Sequence, residues 1–144
     1  MEALLKIKEL YVQYNTDDAV VHAVNGVNLT VHKGEALGLV GETGAGKTTT
    51  ALSVLGILPE QVGEITAGDI FYDGKNVREM KKKELQEMRG KQISMIFQDP
   101  MTSLNPIISV GDQIGEMLSL HFKNLSSQEK EKRVDEIMKL VGIP

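Results

Sequence analysis

A lysine preceded by closely spaced glycines has the spacing of a phosphate-binding loop. Four residues separate Gly41 from Gly46, and Lys47 and Thr48 follow directly. Glycine lets a backbone turn with positive φ and approach a polyphosphate closely, and successive N–H groups at a helix start attract anions. The pattern predicts a nucleotide-binding site formed by Gly41, Glu42, Thr43, Gly44, Ala45, Gly46, Lys47, Thr48 and Thr49.

Two side chains of this loop have distinct predicted tasks. The Lys47 ammonium can reach the β and γ phosphates of a nucleotide, and the Thr48 hydroxyl can ligate Mg²⁺. A strand-turn-helix corner whose glycines serve only packing is the alternative interpretation.

Regular elements on both sides must hold the loop in place. The short apolar run 36–40 predicts a buried parallel strand. After the loop, apolar residues recur at helical spacing as far as Leu58, and Pro59 is expected to end that helix.

The N-terminal region predicts antiparallel strands that lead into the loop. Leu5 and Ile7 alternate with lysines, residues 15–18 have turn chemistry, and Asn25-Gly26 within 20–31 gives a hairpin-like signal. Beyond Pro59 the patterns predict, in order, a loop over 60–68, a strand over 69–72 ended by the Asp73-Gly74 turn, a helix over 77–89 and a second core strand over 93–97.

Two helices are predicted in the last third of the chain. Ser109 with Asp112 and Ser126 with Glu129 form capping boxes at their starts. Gly142 and Pro144 predict the end of the second helix, and Pro100 and Pro106 keep the segment before Ser109 non-helical.

Composition narrows the class of protein. The chain has 144 residues, 41% hydrophobic and 25% charged, as expected for a soluble globular protein. Its net charge of -4 argues against nucleic acid as a partner, and it contains no cysteine for disulfides or thiolate metal sites. No apolar run approaches the roughly 20 residues that span a bilayer, and no signal peptide is apparent, so any membrane role is expected to be peripheral.

A second motif carries a family resemblance. The segment Phe97-Gln98-Asp99-Pro100, continued by Met101-Thr102-Ser103-Leu104-Asn105-Pro106, resembles the Q-loop of ABC transporter ATP-binding subunits. The residues of this segment are similar to those of the family branch that serves oligopeptide, dipeptide and nickel uptake. Together with the phosphate loop, the resemblance covers nearly the whole chain.

The resemblance implies ATP and Mg²⁺ as cofactors and adds two site residues. Tyr14 matches the aromatic residue that stacks on adenine, with Tyr11 as the fallback. Gln98 matches the residue that binds Mg²⁺ or positions water, so Lys47 and Gln98 are the expected catalytic residues, and Thr48 and Gln98 the expected metal ligands.

The same resemblance implies a fold and partners. The expected fold is α/β, a P-loop NTPase core with an N-terminal antiparallel β subdomain over 1–106 and the beginning of a helical subdomain over 107–144. Transmembrane permease subunits are expected to contact the Q-loop region, and a second ATP-binding subunit to complete a dimer. The location implied is the cytoplasmic face of the cell membrane.

Three motifs of the family are not found in this sequence: the Leu-Ser-Gly-Gly signature, a strand ending in Asp-Glu, and a switch histidine. The chain is therefore expected to be the N-terminal part of a subunit, an incomplete domain. Two other functions remain open: a nucleotide-binding structural or regulatory module without ATPase activity, and a small P-loop kinase or GTPase. Against the latter, the sequence has no Asn/Thr-Lys-x-Asp guanine-reading motif and no arginine-rich lid.

The set of motifs predicts weak nucleotide binding and negligible turnover by this chain, because the residue that polarises the attacking water is not among them. A phosphate-release assay with ATP and Mg²⁺ measures this directly. Turnover comparable with that of complete ATPases would contradict the expectation.

Overall fold

A computed structural model describes residues 2–99 and 103–143. It contains two compact units, which divide between Arg89 and Gly90. The sequence-based division into 1–106 and 107–144 stays a prediction. Pro100, Met101, Thr102 and Pro144 lie outside the described residues, and so do the expectations that involve them.

The first unit is built on an antiparallel sheet. Its strands are β1 (Ala3–Asn15), β2 (Val20–His32), β3 (Gly63–Tyr72) and β4 (Lys75–Asn76). Their order is β2-β1-β3-β4, and each neighbouring pair is antiparallel. The predicted N-terminal antiparallel region is thus confirmed, with β1 at the centre of the long strands.

Turn chemistry was predicted correctly at two positions and wrongly at a third. Between β1 and β2, the Thr16 hydroxyl donates to the Ala19 carbonyl at 2.7 Å, and positive φ values at Asp73 and Gly74 turn β3 into β4. The hairpin expected at Asn25-Gly26 is wrong, because both residues lie inside β2. Gly26, with φ 73°, instead forms a bulge where the register with β1 shifts.

One face of the sheet supplies the core of this unit. A further irregularity in β1, where Glu9 has φ 44°, shifts the register between Ile7 and Leu10 so that both side chains are buried. Buried apolar side chains from the sheet and from the helical segments of this unit are Ile7, Leu10, Val12, Val24, Val54, Leu55, Ile70, Val77 and Met88.

The helices of the first unit are shorter than the sequence pattern predicts. Helix α1 (Lys47–Leu55) ends at Gly56, which has φ 62°, and does not continue to Pro59. The Arg89 guanidinium donates to the carbonyls of Leu55 at 2.7 Å and Gly56 at 2.6 Å. The left-handed backbone of Gly56 ends the helix, and the Arg89 cation at these carbonyls stabilises that end.

The single helix predicted over 77–89 is also wrong. A 3-10 turn (Val77–Glu79) and helix α2 (Lys82–Met88) are separated by Met80, whose backbone is extended at φ -65° and ψ 136°. The Glu84 carboxylate accepts a hydrogen bond from the Lys81 amide at 2.9 Å, and this contact caps the start of α2.

Three predictions about strands are contradicted. The loop expected over 60–68 is wrong from Gly63 onward, where β3 begins. Residues 36–40 form no strand, and of residues 93–97 only Ile93 makes an isolated bridge; Val40 and Ile96 are each 94% exposed. Strands exist through ladder hydrogen bonds, and among the described residues neither segment joins the sheet.

The second unit contains helices α3 (Val110–His121) and α4 (Ser127–Leu140). Both predicted starts are confirmed: Ser109 Oγ accepts from the Asp112 amide at 3.1 Å, and Ser126 Oγ accepts from the Glu129 amide at 3.3 Å. Gly142, with φ 76°, follows α4 as expected of a C-terminal glycine. Helix α3 packs on α4 at Gly111, where a Cβ would make an ordinary van der Waals contact with Val134 at 3.6 Å.

Across the described residues, no helix combines the length and apolar character needed to cross a membrane.

We predict that Ser126→Ala destabilises α4, with a loss of about 1 kcal/mol in the free energy of unfolding, because the first-turn amide of Glu129 loses its acceptor. Ser127→Ala, one residue into the helix, is the matched control and should change stability far less. Urea unfolding followed by circular dichroism measures both variants.

The same cap gives α4 a pH dependence. Hydrogen bonds from the Ser126 side chain and backbone hold the pKa of Glu129 below its usual value of 4.5. The cap therefore stabilises the fold above pH 4.5, and its contribution is lost as the pH falls through the lowered pKa. An equal loss in the two serine variants at pH 7 would contradict the assignment of the cap.

Candidate functional site

The start of α1 is set by a glycine that touches the sheet. Gly46 is the N-cap residue, with φ 79° and ψ 3°, in the left-handed region that favours glycine. A Cβ atom at this position would lie well inside contact distance of the Ala23 carbonyl oxygen in β2. Glycine is therefore required twice, once for the backbone conformation and once for the close approach.

The residues before Gly46 form a tight and exposed loop. The Ala45 amide donates to the Glu42 carbonyl at 3.1 Å, and Gly44 has φ 85°. Glu42 and Thr43 are exposed. The loop thus ends at a helix N-terminus, where the first amides have no carbonyl partner within the helix and can bind an anion.

Lys47 brings a positive charge to this loop. Its ammonium donates hydrogen bonds to the carbonyls of Gly41 and Glu42, each at 2.6 Å. These contacts fold the long side chain back over the loop that precedes it. The predicted phosphate-binding ammonium therefore lies beside the loop that precedes it.

Tyr14 lies beside the helix that follows the loop. Its hydroxyl donates to Thr49 Oγ1 at 3.2 Å, and Thr49 is only 8% exposed. Tyr11 is placed differently, because its hydroxyl end packs against Gly26 in β2. Of the two tyrosines considered for adenine stacking, Tyr14 is thus the one in contact with α1.

The remaining predicted residues differ in what surrounds them. Thr48 is exposed in the first turn of α1, so its hydroxyl is accessible to a ligand. Gln98 belongs to the second unit, where it is exposed and lies outside any helix or strand. The structure therefore assembles Tyr14 and the 41–49 segment, while the role of Gln98 stays a prediction.

The residues present fit a nucleotide with its metal ion. The loop offers amides, one ammonium and the exposed hydroxyls of Thr43 and Thr48, a set of groups that suits polyphosphate and Mg²⁺. Within residues 2–99 and 103–143 no group of three or more His, Cys, Asp or Glu side chains could hold a metal. Within the loop, the exposed Thr48 hydroxyl could ligate Mg²⁺ beside phosphate oxygens, and the part expected of Gln98 stays a prediction.

Sequence reasoning missed two contacts of the site. The carbonyl of Ala23 carries no side-chain signal, so its approach to Gly46 could not be predicted from the motif. The hydroxyl pair of Tyr14 and Thr49 joins residues 35 positions apart. The available signal was the hydroxyl of Thr49, the second residue after Lys47. Its partner could not be predicted, because it depends on how β1 packs on α1.

Comparison with known protein families shows to which family the chain belongs. The model of the family described as ABC transporter matches residues 24–144. The chain belongs to the ABC transporter family. The resemblance inferred from the phosphate loop and the Q-loop is thereby confirmed.

Peptide transport proteins are among the relatives of this ABC transporter family member. The oligopeptide transport ATP-binding protein OppD of Bacillus subtilis is 45% identical over 141 residues, which are 98% of this chain and 39% of that protein. The dipeptide transport ATP-binding protein DppD of the same organism is 44% identical over 144 residues, covering 100% of this chain and 43% of that protein. The chain thus spans about two fifths of the length of these curated relatives.

Solved ABC cassettes have the same fold. A dimeric post-hydrolysis state of the ATP-binding cassette MJ0796, bound to ADP and Pi, matches with a TM-score of 0.78 at 21% identity, over 97% of this chain and 58% of that one. CbiO1 from Clostridium perfringens matches with a TM-score of 0.68 at 31% identity, over 99% and 52% of the two chains. The α/β ABC ATPase class is therefore confirmed, with about half of a cassette represented.

We predict that Gly46→Ala destabilises the first unit more than Gly34→Ala does. Gly34 has φ 76° but no atom within 4 Å of its would-be Cβ, so alanine there adds only backbone strain of about 1 kcal/mol. At Gly46 the collision with Ala23 adds a further loss of about 1–3 kcal/mol. Urea unfolding compares the two variants, and equal losses would show that the contact with β2 does not constrain the loop.

Proposed function

We propose that this chain is the ATP-binding part of an ABC importer ATPase that couples ATP binding and hydrolysis to the uptake of peptides or a related solute. The observation that carries the proposal is the Lys47 ammonium folded over the loop that Gly46 anchors at the start of α1. The names of the OppD and DppD relatives support peptides as the solute class.

The phosphate site is proposed from the loop upward. Amides of residues 42–48 bind the phosphate oxygens, except that of Ala45, which donates to the Glu42 carbonyl; Lys47 exchanges the carbonyls of Gly41 and Glu42 for the β and γ phosphates. A lysine held by neutral carbonyls can move to an anion without breaking an ion pair, so its charge remains available. Thr48 supplies a hydroxyl ligand to Mg²⁺ from the exposed first turn of α1.

The base site is proposed at Tyr14. An aromatic ring can stack on adenine without base-specific hydrogen bonds, so discrimination between ATP and GTP is expected to be weak. The contact of its hydroxyl with Thr49 supports Tyr14 over Tyr11, because it puts the ring next to the helix that carries the phosphate loop.

Lys47 and Gln98 are the proposed catalytic residues. When bound, ATP supplies the phosphoanhydride bond and Mg²⁺ neutralises charge on its oxygens. Lys47 stabilises negative charge on the γ phosphate, and the Gln98 amide binds Mg²⁺ or orients the attacking water. Gln98 is exposed, which suits a side chain that engages only when nucleotide is present.

Partners and location follow as proposals. Large apolar side chains near the Q-loop, Phe97, Leu104 and Ile107, are exposed and support a protein partner there, which we take to be the transmembrane permease. The MJ0796 cassette is dimeric in its post-hydrolysis state, and by analogy we propose a second ATP-binding subunit for this protein. The assembly would lie peripherally on the cytoplasmic face of the membrane.

A nucleotide-binding module without ATPase activity is the second candidate. It shares the loop and Tyr14 but needs no Gln98. Hydrolysis measured in the whole protein with Gln98→Ala separates the two, since only the importer ATPase would lose turnover while keeping ATP affinity.

We predict that Lys47→Ala raises the Kd for MgATP at least tenfold, because charge-assisted hydrogen bonds to phosphate contribute about 1.5–3 kcal/mol. Isothermal titration calorimetry on this chain measures it. Lys132→Ala removes the same charge from exposed α4 and should leave the Kd unchanged. Unaltered affinity in Lys47→Ala would refute the proposed phosphate site.

A further inference from the structure

One hydrogen bond joins the two ends of the proposed nucleotide site. Tyr14 lies near the end of β1, and Thr49 lies in the first turn of α1. The Tyr14 hydroxyl donates to Thr49 Oγ1 at 3.2 Å across a sequence separation of 35 residues. The bond therefore connects the strand that carries the aromatic ring with the helix that carries the phosphate loop.

We propose that Thr49 is a positioning residue that orients the Tyr14 ring for adenine and thereby sets the distance between the base and the phosphates. This inference rests on the proposed function, since it concerns how the same site holds ATP. In this proposal the Thr49 hydroxyl positions the Tyr14 side chain, whereas the loop motif alone predicts only that Thr49 contacts the nucleotide.

Thr49 is the rigid end of the pair. It is 8% exposed, and a branched side chain in a helix has few accessible rotamers. Its carbonyl also accepts a hydrogen bond from the Ser53 hydroxyl at 2.7 Å, within α1. The Oγ1 atom thus offers a fixed point relative to the first turn of the helix.

The Tyr14 ring is the end that needs to be held. Its backbone is secured in the ladders, opposite Val21 in β2 and Gly63 in β3. The ring itself is only half-buried, so the sheet fixes the Cα position but leaves the side-chain torsions to local contacts. A hydrogen bond at the far end of the ring removes this freedom before the base arrives, and such preorganisation increases affinity.

The test separates base binding from phosphate binding. MgATP and inorganic tripolyphosphate are titrated calorimetrically into this chain, into Tyr14→Phe, into Thr49→Val and into the double variant. Tyr14→Phe keeps the ring, and Thr49→Val keeps the shape of the helix side chain, so each removes one half of the bond. We expect each single variant to raise the Kd for ATP about fivefold, the size of one neutral hydrogen bond.

The pattern across ligands and variants is diagnostic. The double variant should bind ATP no more weakly than either single variant, because both remove the same bond. Affinity for tripolyphosphate should stay within about twofold throughout, since it has no base to stack. Thr49→Ser should restore most of the ATP affinity. Thr66→Val, which removes an exposed hydroxyl from β3, is the matched control and should change neither Kd.

Contrary outcomes are distinct. The positioning role would be overturned if the two single variants lost ATP affinity additively, or if ATP affinity did not change. It would also be overturned if affinity for ATP and for tripolyphosphate fell equally, because Thr49 would then contact phosphate or support the fold. If the unaltered chain binds ATP and tripolyphosphate while the variants behave like it, only this inference fails. If the unaltered chain binds neither ligand, the proposed function fails and the inference with it.

Discussion

The approach of Gly46 to the Ala23 carbonyl is the contact on which the geometry of the site depends. It joins the first residue before α1 to the first part of β2, and no side chain fits between them. The left-handed backbone at Gly46 turns the chain from loop to helix at that point. Long antiparallel ladders hold the sheet together. The contact of Gly46 with Ala23 therefore fixes the positions of the loop, the start of α1 and Lys47 relative to the sheet.

The chemistry of the site comes mainly from the backbone. Amides at the start of α1 and carbonyls at Gly41 and Glu42 surround a single ammonium group. For the proposed function, phosphoryl transfer would require positioning and charge neutralisation more than reactive side chains, so a loop of small residues would suffice to hold the phosphates. The net charge of -4 for the whole chain does not oppose this, because the local field at the loop comes from its own dipoles and Lys47.

Contacts between residues a few positions apart were predictable from the sequence, and contacts between distant residues were not. The caps at Ser109 and Ser126 were predicted correctly because each depends on residues a few positions apart. The strands expected over 36–40 and 93–97 were wrong because an apolar run signals a preference for burial but does not supply a neighbour to pair with. Gly26 was mistaken for a turn because positive φ serves a bulge equally well, and the Tyr14 to Thr49 bond depends on tertiary packing alone.

The most direct test of the account is the mapping of backbone amide chemical shifts in this chain as MgATP is added. The largest changes are expected at the amides of residues 42–49, with smaller changes at Tyr14 and none in α4. Changes spread evenly over the chain, or centred away from the segment anchored by Gly46, would contradict the claim that this loop holds the triphosphate.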